Sequence, residues 1–173
     1  MVRQSKRHLR LGKLLIGLAT VVGTLAALLA LFPRLAISNE SALDPNDPFS
    51  TPFRIVNDGY VPLFAVRFFL FVSDAKNSAG GGIRATTFMD SKFSIPIFWP
   101  SDAYDYYAGN DIGHQIGGGA TMEFTHPWAS ADITIIVQYH PFAIPFNRRR
   151  AVRFITESGP DNKLHWMQRP NPN

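Results

Sequence analysis

Hydrophobic and polar positions follow two different rhythms along the chain. Residues 14–32 read LLIGLATVVGTLAALLALF, with no charge and only two threonines to break the apolar run. As a helix at about 1.5 Å per residue, this segment comes close to the roughly 30 Å of a bilayer's hydrocarbon core. A helix also satisfies its own backbone in lipid. The run therefore predicts a transmembrane helix over 14–32, ended at the interface by Pro33 and Arg34.

From Phe53 the period is two. Ile133, Ile135, Val137 and Tyr139 alternate with Thr134, Ile136, Gln138 and His140. Val66, Phe68, Leu70 and Val72 alternate with Arg67, Phe69, Phe71 and Ser73, and Val152, Phe154 and Thr156 with Ala151, Arg153 and Ile155. Such alternation marks strands with one face inward. Phe69 and Phe71 make the second of these runs apolar on both faces, which predicts a central or covered strand.

Turn formers separate the runs: Asn57-Asp58-Gly59, NSAGGG at 77–82, Gly117 to Gly119, and SGPDN at 158–162. They leave short strands at 53–56, 63–73, 83–89, 97–99, 120–125, 133–140, 151–156 and 164–168. Pro96 and Pro100 flank Ile97-Phe98-Trp99, as on an edge strand. Seven to eight strands in about 120 residues, with no intervening helix, imply an antiparallel sandwich or barrel. The count and length fit an immunoglobulin-like β-sandwich. Residues 33–52, with Pro45, Pro48 and Pro52 in a polar setting, read as an extended linker. The expected order is a basic tail (1–13), a transmembrane helix (14–32), a Pro-rich linker (33–52), the all-β sandwich (53–169) and a short tail (170–173).

Charge decides the orientation. The net charge is +4 over 173 residues. Arg3, Lys6, Arg7, Arg10, Lys13 and Arg34 precede the first acidic residue, Glu40, and the remainder is slightly acidic. A nucleic-acid binder carries its basic excess on the folded domain, so this distribution argues against one. By the positive-inside rule the N-terminus lies in the cytoplasm and the C-terminal domain is extracytoplasmic, periplasmic for a cytoplasmic (inner) membrane. A cleaved signal peptide fits less well. Its apolar region is usually about 7–15 residues, and Arg34 and Ala36 would fall at the key positions of the cleavage site. Ala19, Gly23 and Ala27 share one helix face, where small residues let two helices approach; a weak homo-oligomer is an open expectation.

PFRIVNDGYVPLFAVRFFLFV, at 52–72, resembles the first hairpin of bacterial extracytoplasmic immunoglobulin-like domains: a strand, an N-x-G turn and a second strand. The layout as a whole resembles small bacterial single-pass membrane proteins that carry such a domain: a basic tail, one span, a DPNDPF linker and a last strand containing tryptophan. The resemblance is structural and implies no catalytic or binding residues.

Candidate chemistry is sparse. There is no cysteine, no G-x-S-x-G, no H-E-x-x-H and no phosphate-binding loop. His114, His126, His140 and His165 are scattered without ligand spacing. The expectation is therefore no catalytic residue, no cofactor and no resident metal. Two stretches stand out as candidate interaction surfaces. SDAYDYYAGNDIGHQIGGG, at 101–119, combines Tyr104, Tyr106 and Tyr107 with Asp102, Asp105 and Asp111. This is the composition of a recognition loop, or of an edge-covering connection, with calcium a lesser option. PFAIPFNRRR, at 141–150, sets Phe142, Ile144 and Phe146 beside Arg148, Arg149 and Arg150; it either caps the sandwich or projects toward a partner or lipid. Trp99, Trp128 and Trp166 are expected in the core or at its edge. The predicted function is a non-enzymatic, membrane-anchored module contacting a protein or envelope polymer. The alternative is an envelope-acting hydrolase or ligand-binding accessory protein using carboxylates near Asp105, Asp111 and Glu123.

Overall fold

The computed structural model describes residues 16–27, 32–41, 47–109, 128–142 and 145–171, and for 88–93 the backbone alone. The chain divides at Phe32 into two units. In the first, residues 16–27 are helical, and Ile16, Leu18, Val21, Val22 and Leu25 are all exposed. The hydroxyls of Thr20 and Thr24 donate to the carbonyls of Ile16 and Thr20, one turn back, so the helix answers its own side-chain polarity. Among the described residues no helix is long and apolar enough to cross a membrane. Residues 14–15 and 28–31 of the predicted span lie outside the described residues.

The second unit is built from two antiparallel sheets. The described strands are β1 (Leu35–Asn39), β2 (Pro52–Asn57), β3 (Leu63–Asn77), β4 (Gly82–Phe98), β5 (Ala103–Tyr107), β6 (Trp128–Pro141), β7 (Arg148–Ser158) and β8 (Leu164–Arg169). A short 3-10 turn, Pro48–Ser50, precedes β2. One sheet has the order β1-β2-β5 and the other β4-β3-β6-β7-β8. The all-β expectation holds, and β3 lies inside its sheet, as its two apolar faces require. Pro96 falls in β4, an edge strand, where a missing N–H costs no ladder bond. Residues 83–89 and 97–98 belong to this one strand rather than two, while 120–125 lies outside the described residues.

The linker expectation needs correction. Leu35 and Ile37 are buried, alternate with exposed Ala36 and Ser38, and pair with β2 from Leu35↔Asn57 to Asn39↔Phe53. The sheet thus starts at Leu35, the third residue after Phe32, and β1 ends at Asn39; further on, Pro48 opens the 3-10 turn and Pro52 opens β2.

Phe53 and Ile55 of one sheet meet Phe68, Leu70, Ile133, Ile135 and Phe154 of the other, all fully buried. Phe53 packs on Phe154 with ring centroids 4.9 Å apart. Two irregularities keep β3 facing this core. Ala65 has φ 49°, and the pairing with β6 shifts between Phe64 and Arg67 and again between Val72 and Asp74. Leu63 and Val66, and then Val72 and Ala75, are three apart yet both buried, which the extra residue of a bulge permits.

Each end of this unit has its own fastening. At the end where β6 and β8 begin, the Trp166 indole N–H donates to the Pro48 carbonyl at 2.6 Å, and Phe49 packs edge-on against Trp128 and Trp166. At the opposite end sits Asn57, fully buried. Its Nδ2 donates to the carbonyls of Val61 (2.9 Å) and Phe98 (3.0 Å), and its Oδ1 accepts the Gly59 N–H. Its backbone N–H donates to Asp102, and its carbonyl accepts from Ser101. One side chain thereby joins the 57–62 turn to the 98–102 turn. Gly59 is required there, since a Cβ would lie 2.9 Å from the backbone nitrogen of Arg34.

Removing the Asn57 amide orphans two buried carbonyls, each with a desolvation cost of about 1–3 kcal/mol. Asn57→Ala is therefore expected to lower unfolding free energy by about 3 kcal/mol in denaturant titrations of the full chain. Asp58→Ala, at an exposed neighbour, should change it by less than about 0.5 kcal/mol. Equal effects would contradict the role given to Asn57.

Candidate functional site

The tyrosine–aspartate stretch begins as a strand. Its register with β2, Ile55↔Tyr104 to Pro52↔Tyr107, gives β5 one inward and one outward face. Tyr106 is buried and Tyr104 partly so. Both rings stack on Phe68, with centroids 5.8 and 4.9 Å away. These two tyrosines close the core along the sheet edge, while Asp105 and Tyr107 face outward. Asp105 lies 3.6 Å from Arg54, which also reaches Glu40 at 3.2 Å. Asp102 accepts the Trp99 N–H at 2.7 Å and so serves a turn. Asp111 lies outside the described residues, as does Glu123 of the carboxylate trio. Among the described residues no three His, Cys, Asp or Glu side chains gather where a metal could sit.

The second stretch lies at the Asn57 end. The Phe142 N–H donates to the Pro62 carbonyl at 3.1 Å, which ties the connection between β6 and β7 to the 57–62 turn. Phe142 and Phe146 are 56% and 54% exposed. The Phe142 ring lies 6.3 Å from that of Phe64, and the Arg148 guanidinium sits over the Phe146 ring at 4.8 Å. Arg148, Arg149 and Arg150 are exposed, and none forms an ion pair among the described residues. Burial pushes the Tyr139 hydroxyl above the usual phenol range, and Arg148 and Arg150 pull it partly back. Ile144 lies outside the described residues.

Sequence reasoning missed the other members of this surface. Tyr60 is 75% exposed and Trp99 56%, with Ile97 also exposed, all on or beside the two turns that Asn57 joins. Trp128 and Trp166 are buried as expected. Trp99 is not, because β4 has already ended at Phe98 and the chain turns at Pro100. The pair of prolines around 97–99 was the available signal.

A third feature is a cleft of about 670 Å³ at the opposite end, lined by Glu40, Ser41, Thr51, Asp161, Lys163 and His165 among others. The His165 Nε2 lies 2.9 and 3.1 Å from the two Asp161 oxygens. The pair closes its own turn, for Asp161 also accepts the Lys163 N–H at 3.1 Å. His140 sits apart, its Nδ1 3.4 Å from Asn147 Oδ1. On the outer face of the five-stranded sheet, Arg153 holds Asp132 in a two-pronged bridge of 2.7 and 2.9 Å. Asp132 raises the Arg153 pKa further above its ordinary value.

In comparisons with known proteins, no family model and no curated protein matches the chain.

The hydrogen bond from His165, followed by that from the Lys163 backbone, holds the Asp161 carboxyl below the ordinary 3.8. Its pKa is depressed by folding, so the stability it contributes is present above the unfolded value and is lost as pH falls through the folded one. NMR titration of the Asp161 carboxyl carbon should give a midpoint below 3.8, and His165→Ala should move it upward. A midpoint indifferent to that substitution would show that the pair does not form.

Proposed function

We infer that the chain is a membrane-tethered, extracytoplasmic module of immunoglobulin-like design that works by contact rather than by catalysis. The strand orders support the fold reading. β1-β2-β5 matches the A-B-E half of an immunoglobulin-like sandwich, and β4-β3-β6-β7 matches C′-C-F-G, with β8 added at the edge. Support for the tether comes from the uncharged run at 14–32, the basic residues before it, and a helix at 16–27 whose large apolar side chains are exposed all round. A helix apolar on every side belongs in an apolar surrounding.

The observation that carries the contact reading is the grouping, at one end of the two-sheet body, of exposed aromatic side chains and exposed arginines that form no ion pair among the described residues. Five of the described carboxylates point the same way. Asp74 bonds Arg84 and Lys76, Asp132 bonds Arg153, Glu157 bonds Arg169, and Glu40 and Asp105 share Arg54. Each is engaged with a cation at the surface, Glu40 included, which lines the cleft with Asp161 and is bonded to Arg54. The outward face of β5, with Tyr107 and Asp105, is a second contact surface.

The chain has no cysteine, so single cysteines report topology directly. In spheroplasts, a membrane-impermeant maleimide should label Ser158→Cys and leave Ser5→Cys unlabelled until lysis; the reverse pattern would overturn the orientation. A photo-reactive phenylalanine analogue at Tyr107 should form an adduct with a second protein or an envelope polymer in native membranes. Illumination that yields no adduct there, nor any at Phe146, would remove the contact reading.

A further inference from the structure

The Asn57 end of the second unit is also the end at which the chain arrives from the apolar run. Leu35, the first residue of β1, pairs with Asn57. Only Pro33 and Arg34 separate it from Phe32, so its Cα lies within about 11 Å of that of Phe32 whatever the chain does between. The polar layer of a bilayer is roughly 5–8 Å deep on each side. If the run ends at the membrane interface, the end of the unit that carries Leu35 is held at the headgroups by chain connectivity alone.

That same end collects the exposed apolar side chains. Tyr60, Ile97, Trp99, Phe142 and Phe146 are there, and among the described residues 33–171 only Tyr107 and Met167 are large, apolar and exposed elsewhere. They stand on three separate connections: the 57–62 turn, the end of β4 with its turn, and the chain between β6 and β7. The Asn57 amide and the Phe142–Pro62 hydrogen bond lock these connections together. Exposed Arg34, Arg148, Arg149 and Arg150 accompany them, with no carboxylate within ion-pair reach among the described residues. Asp58 and Asp102 are the acidic residues of the two turns, and Asp102 is bonded to the Trp99 N–H.

We propose that this end is a membrane-seating surface: Tyr60, Trp99, Phe142 and Phe146 enter the headgroup layer of the bilayer that holds the apolar run, and the four arginines meet anionic lipid phosphates. Aromatic rings with polar tips favour that layer, and cations near the surface are drawn to anionic lipid. The proposal rests on the tether reading and deepens it. A single span by itself lets the body tilt freely. Seating would fix one orientation, with the cleft at Asp161 and His165 facing away from the membrane.

Trp99 supplies the test, because the other indoles are 9% (Trp128) and 5% (Trp166) exposed. The full chain is reconstituted in vesicles of phosphatidylethanolamine and phosphatidylglycerol containing lipids brominated either near the headgroup or at mid-chain. Shallow bromines should quench a component of the emission that Trp99→Phe removes, roughly twofold more strongly than mid-chain bromines do. The double substitution Phe142→Ser with Phe146→Ser, at exposed positions, should cut that quenching to about half while leaving the buried indoles' emission unchanged. The same vesicles are floated after alkaline carbonate treatment. A chain that fails to float overturns the tether reading itself. A chain that floats with Trp99 untouched by either bromine overturns the seating alone. A Trp99 unquenched in vesicles but shielded from acrylamide in native membranes assigns the surface to a protein partner and overturns it as well.

Discussion

The buried side chain of Asn57 is the constraint on which most of this structure hangs. Three of its hydrogen bonds come from the amide and two from its own backbone, and they reach Gly59, Val61, Phe98, Ser101 and Asp102. A fully buried amide is tolerated only when its donors and acceptors are matched, and here every partner is a main-chain group in a connection between strands or, for Phe98, at the end of β4. The turn after β2 and the turn after β4 are therefore fixed to each other, across the two sheets. Gly59 lets the start of the chain's second unit pass close by, and Pro62 receives Phe142 from a third connection. What would otherwise be three independent loops becomes one rigid end.

Rigidity gives that end its chemical meaning. Large apolar side chains on a mobile loop fold back onto the protein. Held on a fixed frame, Tyr60, Trp99, Phe142 and Phe146 stay outside, and the arginines beside them form no ion pair among the described residues. The other end is fastened differently, by Trp166 reaching Pro48 and by Phe49 wedged against two indoles, and these three aromatic side chains are buried. The two ends thus differ in what they offer: a greasy and cationic surface where the chain arrives, a polar cleft where it does not.

Much of this was legible in the sequence. Period-two alternation located β3, β6 and β7 and the residues they bury, because one inward face per strand leaves that mark. The proline at 96 announced an edge. Phe142, Phe146 and the three arginines stood out by composition. Other features were hidden for physical reasons. The β1 strand is five residues long beside a proline-rich stretch, so Leu35 and Ile37 gave too short an alternation to notice. Tyr104 and Tyr106 were grouped with their polar neighbours, although two residues apart in a strand means the same face, here the core face against Phe68. Asn57 read as a turn residue, and a turn residue is normally solvated; nothing local distinguishes one whose amide is enclosed by a connection more than forty residues further along. Trp99 lies one residue past the strand that would have buried it.

Native-state hydrogen exchange of the full chain, read at the amides of Ser101, Asn57 and Phe142, reports on this frame. These connection amides are expected to exchange as slowly as those of Ile133 and Ile135 in the middle of the core, since opening any one of them breaks the frame that holds all three connections. Exchange of the Ser101 and Phe142 amides at the rate of a freely opening loop, while the core stays protected, would contradict that expectation.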